Sequence, residues 1–373
     1  MPNKYPFYLR CTIILLGLVL FTYILFNLRG ILIPLAFAIF LAILLNPLSN
    51  LLQRWKVPKT LSIVLTLLVA ILVFVGIGFF LSTQIATFTD QLPVLKKKSA
   101  ELATKLQQQV TRQFGMPIQK QNQFMAEAEA GLKPLIGQAL GTVMGSLEVV
   151  FLLPVYTFLF LYYKTLILDF LFDVFAEKNI KDVSLILQKV KAAIQSYMFG
   201  LLMEGLIVAT LNTLALMIIG VKYAVLLGIL GAILNVLPFI GGIMAVILPL
   251  FIATITKDGI HTQLEVVAAY IVIQFVDNHF LVPYIVSSKV KINALISIVI
   301  VLLGGAVWGI SGMFLSIPFI GVLKIIFDRI PELKPWGKLL GDEVPVYHKG
   351  QLRIKAQIQQ IRKILPAGTK RSR

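Results

Sequence analysis

The sequence predicts an all-α polytopic membrane protein with about eight hydrophobic segments, the sixth and eighth of them re-entrant or broken helices of inverted orientation. Of its 373 residues, 58% are hydrophobic and only 14% charged, with a mean hydropathy of +0.89. A soluble domain carries about 25% charged residues. Apolar runs near the roughly 20 residues needed to cross about 30 Å of hydrocarbon recur along the chain. Two of the later runs are too long for one crossing and are interrupted by Gly and Pro.

The first run is Thr12 to Phe26, followed by a short Arg29-Gly30 turn and a second run, Ile31 to Leu52. Pro34 lies near the start of the second, where a missing N–H costs little. Arg54, Lys56 and Lys59 form a basic loop before the third run, Leu61 to Leu81. Basic loops stay on the cytoplasmic side. That places this loop in the cytoplasm, together with Lys4, Arg10 and the C-terminal tail, where eleven Lys/Arg face three Asp/Glu from Arg329 onward. Beside apolar spans, this charge is explained by topology and anionic lipid, so the net +17 does not call for a nucleic-acid partner. No small-residue cleavage site follows the first run, so it is expected to be retained as a span. The single cysteine, Cys11, cannot close an intramolecular disulfide.

From Gln84 to about Gly137, Gln, Lys, Ala and Glu dominate. Leu95, Leu102, Leu106 and Val110 recur at helical spacing, with a break at Gly115-Met116-Pro117. This is an extramembrane helical insert on the outer side, suited to packing or an oligomer contact. The fourth span, Leu140 to Tyr163, leads into a mixed-charge amphipathic stretch, Lys164 to Lys191, expected as a helix or helix pair at the cytoplasmic surface. The fifth span, Tyr197 to Ile219, carries Glu204 and Asn212; the sixth segment, Leu226 to Thr254, is broken at Asn235-Val236-Leu237-Pro238-Phe239-Ile240-Gly241-Gly242. Pro238 removes a backbone donor and the paired glycines favour a bend. The seventh, Leu264 to Val286, holds Gln274, Asp277, Asn278, His279, Pro283 and Tyr284; the eighth, Ala294 to Phe327, is punctured by Gly304, Gly305, Trp308, Gly309, Gly312 and Pro318.

The chain is thus expected to divide into N-terminal spans (1–83), the insert (84–137), a span plus cytoplasmic amphipathic helix (138–196), a transport core (197–328) and a basic cytoplasmic tail (329–373). Interrupted segments at corresponding places in two halves mark solute sites in transporters, where freed backbone groups line a cavity. Charge favours hairpins over crossings: with two hairpins entering from opposite faces, Lys289 and Lys291 fall inside and Lys257 outside.

Ionisable groups within spans are costly and therefore candidate sites. In a helix Gln274, Asp277 and Asn278 share a face, and a carboxylate among amides can bind a cation or proton or accept hydrogen bonds from a polyol. Glu204 is a second proton or cation candidate, or a structural acid bonded across helices. Asn212 and Asn235 suit solute contacts or packing. Glycines 200, 205, 304, 305, 309 and 312 permit close helix approach and could expose backbone to a ligand. The histidines form no H-E-x-x-H motif and there is no P-loop, so neither zinc hydrolysis nor ATP-driven pumping is supported, and no cofactor is expected.

Asn235–Gly242, Asp277–Val286 and Leu302–Phe319, taken together, resemble the autoinducer-2 exporter family of permeases, over nearly the whole chain. The resemblance implies a bacterial inner-membrane exporter of a small polar solute such as the quorum signal autoinducer-2. It also implies homo-oligomers, pentamers among them, and sodium(lithium)/proton antiport as the alternative. Pro238, Gly241, Asp277, Asn278, Pro283, Gly305, Gly309, Gly312 and Pro318 would be the family positions. This chain differs at Gly242, where members often carry Pro, at Leu201, where they carry Gln, and at Asn293-Ala294, where they carry His-Pro. The expected pathway comprises Glu204, Asn212, Asn235, Pro238, Gly241, Gly242, Gln274, Asp277, Asn278, Pro283, Gly304, Gly305, Gly309 and Gly312. The two broken segments are expected to face each other at mid-membrane with the solute and a coupling H+ or Na+ between them. A non-transporting scaffold, acting through the insert or tail, is the reading from a different class.

Overall fold

The computed structural model describes residues 6–123, 126–127, 147–175, 180–237, 241–257, 259–286 and 292–342, and no strand occurs among them. Six helices are long and apolar enough to cross a membrane, and a bent pair around Tyr163 could add a seventh. The chain is therefore a multi-pass membrane protein. Helices α1 (Phe7–Asn27), α2 (Arg29–Arg54) and α3 (Lys59–Asp90) cover the three expected N-terminal spans. α1 is exposed on all sides, as an apolar helix facing lipid is. α2 carries the packing, burying Pro34, Ala36, Ala38, Phe40 and Ala42 against its neighbours.

The insert begins as α4 (Leu92–Phe114) and ends at Gly115, whose φ of 63° is the left-handed cap glycine adopts without strain. Leu95 at its start packs into the core around Leu216, Ala224 and Ile252, so the insert is seated on the membrane bundle. Residues 128–146, which include the end of the insert and the start of the fourth span, lie outside the described residues. The span continues as α5 (Leu147–Tyr162) and bends by 62° into α6 (Lys164–Phe175). The stretch expected to be amphipathic is helical as α6 and the start of the next helix, which is continuous with the fifth span. α7 (Ile180–Ile219) runs 40 residues, about 60 Å at 1.5 Å per residue, so it extends well beyond the hydrocarbon.

The sixth and eighth segments both turn back. α8 (Ala224–Asn235) and α9 (Gly241–Thr256) lie antiparallel, and Gly231 meets Ala245 across them. The chain before α8 and after α9 comes together where Lys257 reaches Gly220, so the first hairpin enters and leaves at one face. α11 (Ala294–Phe327) reads as one helix but reverses at Trp308 (φ −125°) and Gly309 (φ 60°, ψ −142°). Ser316 Oγ lies 3.0 Å from Ile300 O across the hairpin and 2.6 Å from Gly312 O within its own arm, its one proton shared between the two carbonyls. In a straight helix residues 300 and 316 would stand about 24 Å apart.

Between the hairpins, α10 (His261–Val276) continues into a π-helix, Asp277–Val286. Together they form a 25-residue stretch, His261–Ile285, long and apolar enough for one crossing, so the hairpins are rooted on opposite faces. Lys257 closes the first; Lys289 and Lys291 lie outside the described residues. α12 (Lys334–Leu340) follows the second hairpin and is tied to its entry, where Asn293 N donates to Leu340 O at 2.9 Å. Asn293 also caps α11, accepting from Leu295 N at 2.8 Å.

A side chain at position 309 would have to hold a φ/ψ pair that glycine alone tolerates, and a Cβ at Gly312 would collide with the Gly304 carbonyl. Gly309→Ala and Gly312→Ala should each lower stability by about 1–3 kcal/mol. Thermal unfolding of the purified protein in detergent reads this, with Gly205→Ala as the control because no atom lies near its added Cβ.

Candidate functional site

α7, α10 and both hairpins enclose a cavity of about 970 Å³, within the range of small-molecule sites. α7 contributes Tyr197, Leu201 and Glu204, one face at i, i+4 and i+7. α10 and the π-helix contribute Val267, Tyr270, Gln274, Asp277, Asn278 and Pro283. The first hairpin adds Asn235, Val236, Leu237 and Gly242 on either side of its break; the second adds Ser297, Ile317, Pro318 and Gly321 from its arms. Asp342 follows α12 at the edge of this set.

The π-helix is where Asp277 begins and where Pro283 cannot donate a ladder bond. Wider turns of this kind recur at functional sites because they re-aim side chains. Here Asp277 is 2% exposed and Glu204 7%. Both line the same cavity, close enough for the two acids to interact. Asn235 Nδ2 donates to Asp277 Oδ2 at 2.8 Å, and Gln274 Nε2 donates to Asn235 Oδ1 at 3.0 Å. Among the described residues, Asp277 Oδ1 is buried and receives no N–H or hydroxyl donor. The facing Glu204 carboxyl can satisfy it only if the pair holds a proton, since two ionised carboxylates are acceptors alone. The hydrogen-bonded chain runs from Gln274 through Asn235 to Asp277, with Glu204 beside its end.

Gly242 permits it. A Cβ there would stand 2.5 Å from the Gln274 carboxamide, displacing the side chain that orients Asn235. Gly241 serves the return of the chain, since its Cβ would strike the Leu234 carbonyl. Pro238 lies outside the described residues.

Seven of the expected pathway residues line the cavity: Glu204, Asn235, Gly242, Gln274, Asp277, Asn278 and Pro283. Asn212 is 1% exposed and lies deeper, with Nδ2 3.5 Å from Gly228 O. Its amide and the Tyr270 hydroxyl meet over Gly231, whose hydrogen leaves room for both. Gly304, Gly305, Gly309 and Gly312 are not among the lining residues. Gly304 and Gly312 let the arms of the second hairpin touch, Gly305 faces Met313, and Gly309 makes the turn. The expectation that the two breaks meet at mid-membrane is corrected accordingly. The tip of the second hairpin is held elsewhere, by Trp308 Nε1 donating to Leu25 O of α1 at 2.9 Å and by packing on Phe37 and Phe40 of α2. Trp308 is thus an anchor; Tyr284 is exposed, and His279 stacks on Phe275.

Tyr197, Tyr270, Ser297 and Asp342 are cavity residues that motif reasoning passed over. Tyr270 lies seven positions before Asp277 and Tyr197 seven before Glu204, so extending each acid's helical face backwards would have found them. Ser297 and Asp342 reach the cavity through the hairpin's return, which no local pattern shows.

The AI-2E family transporter pattern matches residues 11–332 of the chain. YrrI of Bacillus subtilis (strain 168) is 25% identical over 317 residues, 82% of this chain and 88% of that one. The AI-2 transport protein TqsA of Escherichia coli (strain K12) is 24% identical over 315 residues, 84% and 90%. YueF of Bacillus subtilis (strain 168) is 25% identical over 317 residues, 80% and 84%.

Gly242→Ala should cost about 1–3 kcal/mol by breaking the part-buried Gln274–Asn235 amide contact, and Gln274→Ala should cost a similar amount. The double variant should cost little more than either single one, and thermal unfolding of the three checks this non-additivity.

Proposed function

The chain belongs to the AI-2E family of transporters, and from that premise we propose that it is a secondary transporter exporting a small polar solute through the cavity between its two hairpins. The observation that carries this is the buried Glu204–Asp277 pair in the wall of a 970 Å³ chamber to which both hairpins contribute. The lining combines amides, hydroxyls and carboxyls with apolar surface, and among the described residues it includes no Lys or Arg. Such a wall suits a neutral polyhydroxylated solute or a cation and opposes an anion. Autoinducer-2 is the solute class suggested by the name of the Escherichia coli relative.

In this scheme the pair carries the coupling proton. With the proton shared, Asp277 holds Asn235 and Asn235 holds Gln274, so the lip of the first hairpin is fixed against α10. Loss of the proton sets two negative charges side by side in a buried place, which is costly and favours movement of the hairpin or entry of a cation. A change in charge at the pair is thereby converted into a change at the hairpin tip. The membrane is the bacterial inner membrane, with the Arg54–Lys59 loop and both termini on its cytoplasmic side.

Sodium(lithium)/proton antiport is favoured by one specific observation, the facing carboxyls themselves, since such a pair can exchange a proton for a small cation. The two mechanisms separate in proteoliposomes. Asp277→Asn and Glu204→Gln should each lower flux of the transported solute by about tenfold or more while the protein stays folded. Unchanged flux would remove the pair from the mechanism. Pulses of sodium or lithium should move protons, read by an internal pH dye, if antiport is the activity, and should leave the dye unmoved if solute export is.

A further inference from the structure

Four cations from four segments converge where α2 ends: Arg54 closing α2, Lys59 opening α3, Lys164 opening α6, and Lys191 on α7. A second cavity, of about 330 Å³, lies between two of them, Arg54 and Lys191, and is lined also by Asn46, Pro47, Asn50 and Gln195. Lys164 Nζ donates to Asn46 Oδ1 at 2.9 Å, a neutral partner. Burial, then Lys191, then Lys59 depress the pKa of Lys164 below that of an ordinary lysine. Among the described residues none of the four cations has an ion-pair partner; Asp169 and Asp173 on α6 and Asp182 on α7 do not pair with them. A half-buried ammonium held against two like charges is a local cost that a bound anion would relieve.

The surroundings say which anion. Trp55, Tyr162 and Tyr163 are exposed beside the cluster, and Lys59 sits 5.1 Å from the centre of the Tyr162 ring. Aromatic and basic side chains at the ends of apolar spans mark headgroup depth. Along the start of α3, Leu61, Leu65 and Leu68 present an exposed apolar face to acyl chains. We propose that this cluster is a binding site for the phosphate of an anionic phospholipid headgroup, clamped between the α2–α3 loop and α7. Because α7 continues into the span bearing Glu204, a lipid bound there would brace one wall of the main cavity.

The test uses the full-length protein in detergent, comparing added phosphatidylglycerol, phosphatidylcholine and glycerol phosphate by thermal unfolding, and lipid retention by native mass spectrometry. Phosphatidylglycerol should raise Tm and be retained, while the other two should do neither. Lys191→Gln should weaken retention about fivefold, and Arg54→Gln/Lys164→Gln/Lys191→Gln by about that factor again for each further cation lost. Lys191 is exposed, so that single variant decides the matter even if the triple one is poorly folded. Equal effects of phosphatidylcholine, an effect of glycerol phosphate matching that of the lipid, or wild-type retention by Lys191→Gln would each overturn the proposal.

Discussion

Two carboxyl groups cannot sit side by side in a buried place unless something neutralises them, and the geometry around Glu204 and Asp277 follows from that constraint. Asp277 accepts from Asn235, Asn235 accepts from Gln274, and Gln274 occupies the space that Gly242 leaves. The two acids come from α7 and from the start of the π-helix, while the amide between Asp277 and Gln274 comes from the lip of the first hairpin. In the proposed scheme, one proton more or less at the pair bears on three elements at once. An isolated acid in a span would carry its cost alone; here the cost is coupled to the position of the hairpin.

The hairpins themselves answer a second constraint. Backbone that leaves helix inside a membrane must find partners within the protein. The second hairpin does so by contact of its arms, Gly304 on Gly312 and Ser316 bonded to Ile300 O, and by Trp308 reaching the Leu25 carbonyl. It is sealed at its turn and contributes to the cavity through its arms. In the first, Asn235 and Gly242, on either side of its break, line the cavity. Two elements alike in sequence pattern thus differ in use: one is braced against α1 and α2, the other stands against the acid pair.

Much of this was legible in the residues. Composition and run length gave the spans, and the lysine distribution favoured hairpins over crossings, as the antiparallel contacts bear out. Asp277 and Glu204 stood out because charge within a span is costly, and the shared face of Gln274, Asp277 and Asn278 followed from helical spacing. What spacing could not supply was the meeting of Glu204 with Asp277, 73 positions away, or of Asn235 with Gln274, because those contacts depend on how α7, α10 and the first hairpin pack. That the glycines of the second hairpin pack its arms together was hidden for a related reason. A glycine that lets two arms touch and a glycine that bares backbone to a ligand look the same in sequence. The continuity of the surface helix with the fifth span was also hidden, since an amphipathic stretch and an apolar one change period-average character without breaking the helix.

Transport through this chain depends, in this mechanism, on a proton held between two buried acids. Infrared spectroscopy of the purified protein at neutral pH measures that most directly, because the carbonyl stretch of a protonated carboxylic acid is separate from that of a carboxylate. The wild-type protein should show such a band, sensitive to hydrogen–deuterium exchange, and it should vanish in the Glu204→Gln/Asp277→Asn double variant. A wild-type spectrum without the band, or a band unchanged in the double variant, would contradict the mechanism.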